Sequence, residues 1–414
     1  MLQITENWKN RQELLNAIIG VNVLRPYDLH HGNSGRDGGP KMMTIWDVLR
    51  SVESSSAKKK AMLGMLNFQQ FFEDFTKEYV DDTSLKSCIQ TRKIDDLISE
   101  ELNRICTQEE LDFINPYLSA YVKAAKLDTV KKHSPKAVEE MAASAKKCLD
   151  ENDRKNLKKD FDAALKELEK SKNKQKAAVI KPLKECFNIE DLQEKYPTFE
   201  SILYGIMSTL MENTLGAAET AFSFSIHECF NEVNSGVATD DVVAMKGEKG
   251  AAHLYDQEMN SSINYEYTAI DAGLVFERLK PYIHDREKCI RATRALIKKL
   301  IEMFILVVPG AGQNASSSRE CPILVVIEVA NNKNGAQNGG AFINPVAGKD
   351  LGRKGVQCML DHLSRKANTM TLAAPVERYW TCMYPEFDEE ARERAKAMVV
   401  SDVEAINRAV ECVK

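Results

Sequence analysis

With 414 residues, 43% of them apolar and 28% charged, the chain has the composition of an ordinary soluble protein and enough material for one large or two ordinary cores. A net charge of −5 excludes a surface coated in positive charge, so any nucleic-acid-binding face has to be a local cationic patch on an acidic remainder. Ten cysteines stand singly from Cys88 to Cys412 without a C-x-x-C pair, which argues against a zinc site or a disulfide framework and for reduced thiols in the cytoplasm.

The opening "MLQITENWKNRQELL" lacks a signal-peptide core, and the longest apolar run, "LIEMFILVV" over 300–308, is too short to span a bilayer, so no membrane partner is expected. "NAIIGVNVLRPYDL" (16–29) is apolar and β-branched and reads as a buried strand, followed by the glycine-rich loop "HHGNSGRDGGPK". "TIWDVL" (44–49) fits either a short strand or a helical turn. Ser54 and Ser55 offer an N-cap to "AKKKAMLGMLNFQQFFEDFTKEYV", where Met62, Met65, Phe68, Phe71 and Phe72 recur at helical spacing.

From about 90 to 200 the sequence is almost all helix-forming. Leu157, Phe161, Ala164, Leu165 and Leu168 make one apolar stripe, and lysines crowd residues 121–184. Such lysine-rich faces are most often only solvated surface. Further on, "SSINYEYTAIDAGLVF" (261–276) alternates as a strand, "REKCIRATRALIKKLIEMFILVV" is an amphipathic helix stopped by Pro309 and Gly310, and "PILVVIEVA" (322–330) is a continuous apolar strand. A closing helix is expected in "EEARERAKAMVVSDVEAINRAVECV". Strands at both chain ends and helices between them predict an α+β core with a large helical insertion.

Catalytic and metal motifs do not appear. His30 and His31 are adjacent, which suits neither a strand nor a helix as a ligand pair; there is no H-E-x-x-H, no Walker lysine in "GAGQNASSS" and no G-x-S-x-G elbow. No enzyme class, cofactor or metal is expected. The Ser-Lys cluster carries more. A helix N-terminus presents free N–H groups and a partial positive charge to phosphate. Ser54 and Ser55 add hydroxyls, Lys58, Lys59 and Lys60 add charge, and Arg36 and Lys41 on the preceding loop can face the same groove. An ordinary capped helix with surface lysines reads equally well from composition alone.

A family resemblance breaks that tie. The chain resembles CasC, the repeated backbone subunit of the type I-E CRISPR surveillance complex Cascade, whose members follow the first strand with N-R-D-D…P-K…F-G-G…R-x-R-x-S-S-Q…K-R. Here the blocks are "NSGRDGGPK" and "SVESSSAKKKAM". "QTRKIDDLI" (90–98), "SILYGIM" (201–207), "GAAHLYDQEMNSSINYEY" (250–267) and "VPGAGQNASSSRECPILVVIEV" (308–329) are similar to later blocks, in family order. The departures are Ser56 for the glutamine after S-S, "TIWDVL" for the F-G-G turn, Ile206 for the arginine of G-R-M and Gly312 for the lysine of G-K-Q. An N-terminal extension and the lysine-rich helical region also add length.

The resemblance implies a right-hand-shaped subunit. Its palm is a modified RNA-recognition-motif (ferredoxin-like) sheet built from 1–70 and 251–414, with helical fingers over 71–200 and a thumb over 201–250. Copies polymerise head-to-tail along a CRISPR guide RNA, with other Cascade subunits, and expose segments of guide to target DNA. Guide contacts would fall to Arg36, Lys41, Ser54, Ser55, Lys59, Lys60, Gln313 and Asn314. The thumb wedge would be Met207 with Val242 or Val243, and target-DNA phosphates would meet Lys131, Lys132, Lys158 and Lys159. Two rivals stay open: a type III-like backbone ribonuclease cutting target RNA through Asp37, and a helical adaptor that binds no RNA.

Overall fold

A computed structural model describes residues 17–30, 33–35, 38–82, 85–91, 93–124, 131–170, 185–187, 198–205, 215–239, 245, 251–310, 320–331, 335–370 and 375–413. The chain divides into two compact units. One comprises residues 1–70, 217–280 and 285–414, the other 71–216 and 281–284, so 201–216 falls with the second and 217–250 with the first.

In the first unit, ten strands share one sheet among the described residues. Strand β1 (Ile18–His30) lies at its centre, antiparallel to β10 (Leu324–Ala330) on one side and to β9 (Ala251–Asp271) on the other. Beyond β9 come β7 (Ser223–Ser225) and the hairpin of β3 (Val48–Glu53) with β2 (Met42–Ile45); beyond β10 come β11 (Glu377–Cys382) and β12 (Met398–Val399). The inner order β10–β1–β9–β7, all antiparallel, is the 4-1-3-2 order of a ferredoxin-like sheet. Helices α8 (Ala272–Leu279) and α9 (Arg286–Leu306) bridge β9 to β10, as that topology requires. The fold class is therefore α+β with a ferredoxin-like palm.

Both faces of this sheet are covered. On β1, Ile19, Val21 and Val23 are fully buried on one face, and Leu24 is buried on the other, which is why the strand reads as an unbroken apolar run. Leu24, Tyr265, Tyr267, Phe224 and Val326 pack beneath Met359, Leu360 and Leu363 of α10 (Leu351–Thr369). An RNA-recognition motif stacks bases on open-face aromatics; here Tyr265, Tyr267 and Phe224 are core.

Several boundaries differ from the sequence reading. "TIWDVL" is strand at both ends, as one of the two readings had it, and turns between them: Thr44 and Ile45 close β2, Val48 and Leu49 open β3, and Trp46 at φ 51° and Asp47 at φ 60° form the hairpin tip. That two-residue turn favours Asn-Gly, because both positions need positive φ. The helix after Ser54 breaks at Gly64 into α1 (Ser55–Leu63) and α2 (Leu66–Tyr79). The strand of 261–276 ends at Asp271, whose carboxylate accepts from the Leu274 N–H and starts α8. The expected closing helix is two, α11 (Asp388–Glu393) and α12 (Asp402–Glu411), with β12 between them.

The second unit is helical. Helices α3 (Ile94–Ile105), α4 (Gln108–Ala124), α5 (Pro135–Glu151) and α6 (Arg154–Lys170) enclose a core that includes Ile98, Leu118, Met141 and Phe161. Strands β4 (Ile89–Thr91) and β5 (Lys131–His133) form a small ribbon, and α7 (Phe199–Tyr204) stacks Phe199 on Phe72 with ring centroids 4.4 Å apart. Short strands β6 (Ala218–Thr220) and β8 (Glu232–Thr239) complete the strand set, both pairing with β9 in the first unit.

Candidate nucleic-acid interface

The start of α1 is built by three ties. The Ser54 hydroxyl accepts from the Ala57 N–H at 3.2 Å, capping the helix. The Ser54 N–H donates to the side-chain oxygen of Asn33 at 2.9 Å, and the Lys41 N–H donates to the Asn33 carbonyl at 2.8 Å. The loop that ends at Lys41 is thus tied to the helix start through Asn33, which holds the backbones of Lys41 and Ser54 at once. Ser54 and Ser55 are half-buried, Lys59 is half-buried and Lys60 exposed.

Lys58 points the other way. Its ammonium donates to Glu266 Oε2 at 2.7 Å and to the Val307 carbonyl at 2.6 Å, 4.9 Å from the centre of the Phe304 ring. It shares its buried face with Met62, one helical turn on. The expectation that all three lysines add charge to the groove is corrected here: one of them holds the groove up from below.

Glu266 is the hub of that support. Arg25 donates to its Oε1 at 2.8 Å, to the Glu320 carbonyl at 2.9 Å and to the Ile305 carbonyl, and the Tyr27 hydroxyl donates to Glu266 at 2.7 Å. Burial alone would raise the Glu266 carboxyl, but the Arg25 and Lys58 cations outweigh it and hold it at about 2. Burial pulls the Lys58 ammonium below its ordinary value. The cluster joins β1, α1, β9 and the end of α9 into one piece.

Two features have no counterpart in the sequence reading. The Lys41 ammonium sits 5.1 Å over the ring of Phe222, an aromatic side chain that is 43% exposed. On β3, Arg50 is buried and donates to the carbonyls of Ser225 at 2.6 Å and Phe342 at 2.8 Å, with no carboxylate among the described residues. Burial lowers its pKa, and its guanidinium lies 5.8 Å from the Trp46 ring. Nothing in the local sequence marks Phe222, since the fold alone brings it to Lys41.

A cavity of about 340 Å³ opens elsewhere on this unit, lined by Tyr27, Asp28, His227, Ser262 and Glu320 among others. Two carboxylates make it a poor seat for a polyanion. His227 Nε2 accepts from the Ile263 N–H and its Nδ1 donates to the Glu228 carbonyl, so the ring is neutral, in keeping with the lowering of its pKa by burial.

In the helical unit, Lys158 and Lys159 are exposed on α6, while Lys131 and Lys132 lie on β5 opposite Thr91 and Gln90. Arg36, Asp37, Met207, Val242, Val243, Gln313 and Asn314 lie outside the described residues. The ten cysteines are free thiols, and among the described residues no His/Cys/Asp/Glu group is arranged to hold a metal ion and no helix is long and apolar enough to cross a membrane.

No curated protein sequence matches the chain. Solved structures do. A chain of a "CRISPR RNA-guided surveillance complex, pre-nicking" aligns with a TM-score of 0.67 at 17% identity, over 96% of this chain and 100% of that one. A chain of a "CRISPR RNA-guided surveillance complex" aligns at 0.54 and 14%, with the same coverage of 96% and 100%. At such identities the likeness is one of fold. The family described as CT1975-like protein matches residues 29–406, nearly the whole length, and the chain belongs to this CT1975-like family of Cas proteins.

Proposed function

We propose that the chain is the repeating, non-catalytic backbone subunit of a type I-E-like Cascade complex. In this reading it acts in the cytoplasm, polymerises along a guide RNA with other subunits and supports pairing with target DNA. The observation that carries it is the loop tied through Asn33, with Lys41 beside the capped start of α1, on a ferredoxin-like sheet in a member of this Cas family. A helix start flanked by cations binds a phosphate backbone without reading bases, which is what a subunit serving any guide needs. The closed sheet face agrees, since it leaves backbone contact at the loop and helix start as the mode of binding. Arg36, Gln313, Asn314, Lys59 and Lys60 would extend the phosphate track, and Met207 with Val242 or Val243 would supply the wedge.

Co-expression with guide RNA, RNase digestion and sizing of the protected RNA on a denaturing gel tests the reading. A ladder with one regular step is expected. Assembled complex whose RNA is digested without a repeating step overturns it. Changing Lys59 and Lys60 to glutamate in the full complex is expected to abolish the ladder. Replacing Lys131, Lys132, Lys158 and Lys159 together by alanine is expected to weaken target-DNA binding in gel shifts and leave the ladder intact; loss of the ladder would make those lysines structural.

A further inference from the structure

An aromatic ring that folding could have buried stays in water at the edge of the candidate interface. Phe224, two residues further on, is buried, and so is Tyr267 on β9. Phe222 instead is 43% exposed, with the Lys41 ammonium 5.1 Å over its ring. Its place is fixed from both sides. Ser223 pairs with Glu53, the residue before the Ser54 cap, and Ala221 N–H donates to the Tyr267 carbonyl at 3.0 Å. Ala221 and Ser223 also share with Ser54 and Lys58 the lining of a cavity of about 10 Å³, the size of one water. The ring therefore sits beside the start of α1, on the two-residue link between β6 and β7, which is pinned at Ala221 and at Ser223.

We propose that Phe222 and Lys41 form a base-stacking subsite of the guide-RNA interface: the ring takes the face of one guide nucleobase while Lys41 and the first turn of α1 hold the adjoining phosphate. This rests on the guide-binding reading above and adds a contact that the phosphate track does not contain. The occupant follows from the chemistry. An exposed ring beside a cation and a helix N-terminus suits a ligand that is flat and apolar on one side and anionic on the other, which describes a single-stranded nucleotide. A phenyl ring has no hydrogen-bonding group, so it grips every base alike, as a subunit bound to a variable guide requires. The buried sheet aromatics cannot take this role.

The test uses the full chain with its guide RNA. Ultraviolet irradiation followed by peptide mass spectrometry is expected to place a uridine adduct on Phe222. Phe222→Ala and Phe222→Leu are each expected to weaken guide binding by about tenfold, while Phe222→Tyr retains it. The leucine variant is decisive, because it keeps the apolar bulk and removes the stacking face. Lys41→Gln is expected to lower the salt slope of binding by about one phosphate contact. If Phe222→Leu binds like the unaltered chain, with the RNA ladder intact and adducts only elsewhere, the subsite is overturned and the guide-binding reading is spared. A chain that binds no guide at all overturns both.

Discussion

The two units of this protein handle charge in opposite ways. The sheet unit buries it: Arg25, Lys58 and Glu266 form one desolvated cluster, and on the opposite face Glu328 accepts from Lys366 at 2.7 Å and Arg378 at 2.8 Å. The helical unit buries few charges, Glu110 and Glu200 among them, and carries ion pairs outside, one helical turn apart, such as Lys136–Glu140, Arg104–Glu101 and Lys147–Glu151. Buried pairs are poor sources of net stability but expensive to break, whereas exposed pairs are cheap either way. The difference teaches which unit is specified in detail. Removing one partner of an ion pair should cost the sheet unit several times what it costs the helical one.

The largest test of that contrast is Glu266→Gln. It leaves Arg25 and Lys58 buried without their counter-charge and should cost about 3–5 kcal/mol in denaturant unfolding. A cost under about 1 kcal/mol would erase the contrast. Acid should draw the same line. The Glu266 carboxyl titrates near 4.5 ordinarily and at about 2 when folded, so the unfolded chain takes up the proton first. Its contribution is complete above pH 4.5 and drains away as the pH falls toward 2. Unfolding followed by circular dichroism across that window should show the loss in the native chain, and Glu266→Gln should lack this component.

Smaller effects sharpen the picture. Asp47→Gly relieves the left-handed backbone at the β2–β3 turn, worth roughly 1 kcal/mol, against a gain in unfolded-chain freedom of similar size. The net change should be a stabilisation below about 1 kcal/mol, read as a small rise in melting temperature. Lys136→Ala, which removes pairs with Glu139 and Glu140 on the outer face of α5, should move stability by no more than about 0.5 kcal/mol.

Legibility in the sequence follows the same division. The helical unit announces itself, because Leu157, Phe161 and Ala164 recur at the helical period and are all buried. In the sheet unit, β1 and β10 are legible as apolar runs, but α10 is not. Its segment "LGRKGVQCMLDHLSRKANT" carries two glycines that read as breaks. Folded, they are places of close packing: a Cβ at Gly355 would stand 2.5 Å from Ile226 Cδ1, and one at Gly352 the same 2.5 Å from the Tyr384 hydroxyl. The candidate interface splits likewise. Ser54 and Lys41 are visible from capping chemistry and charge. The inward turn of Lys58 is visible only in its i, i+4 relation to Met62, and Phe222 not at all, because tertiary pairing alone sets it beside Lys41.

The pairing of β1 also bears on how the protein is made. Ile18 meets Asp271 on one side and Ala330 on the other, so the central strand leaves the ribosome roughly 300 residues before its last partner does. At ~5–20 residues per second that is about 15–60 s of waiting for an apolar, β-branched segment, while the helices of 94–170 find their neighbours nearby in sequence. Production of this protein therefore depends on whatever shields that strand during synthesis, and slowing translation lengthens its exposure.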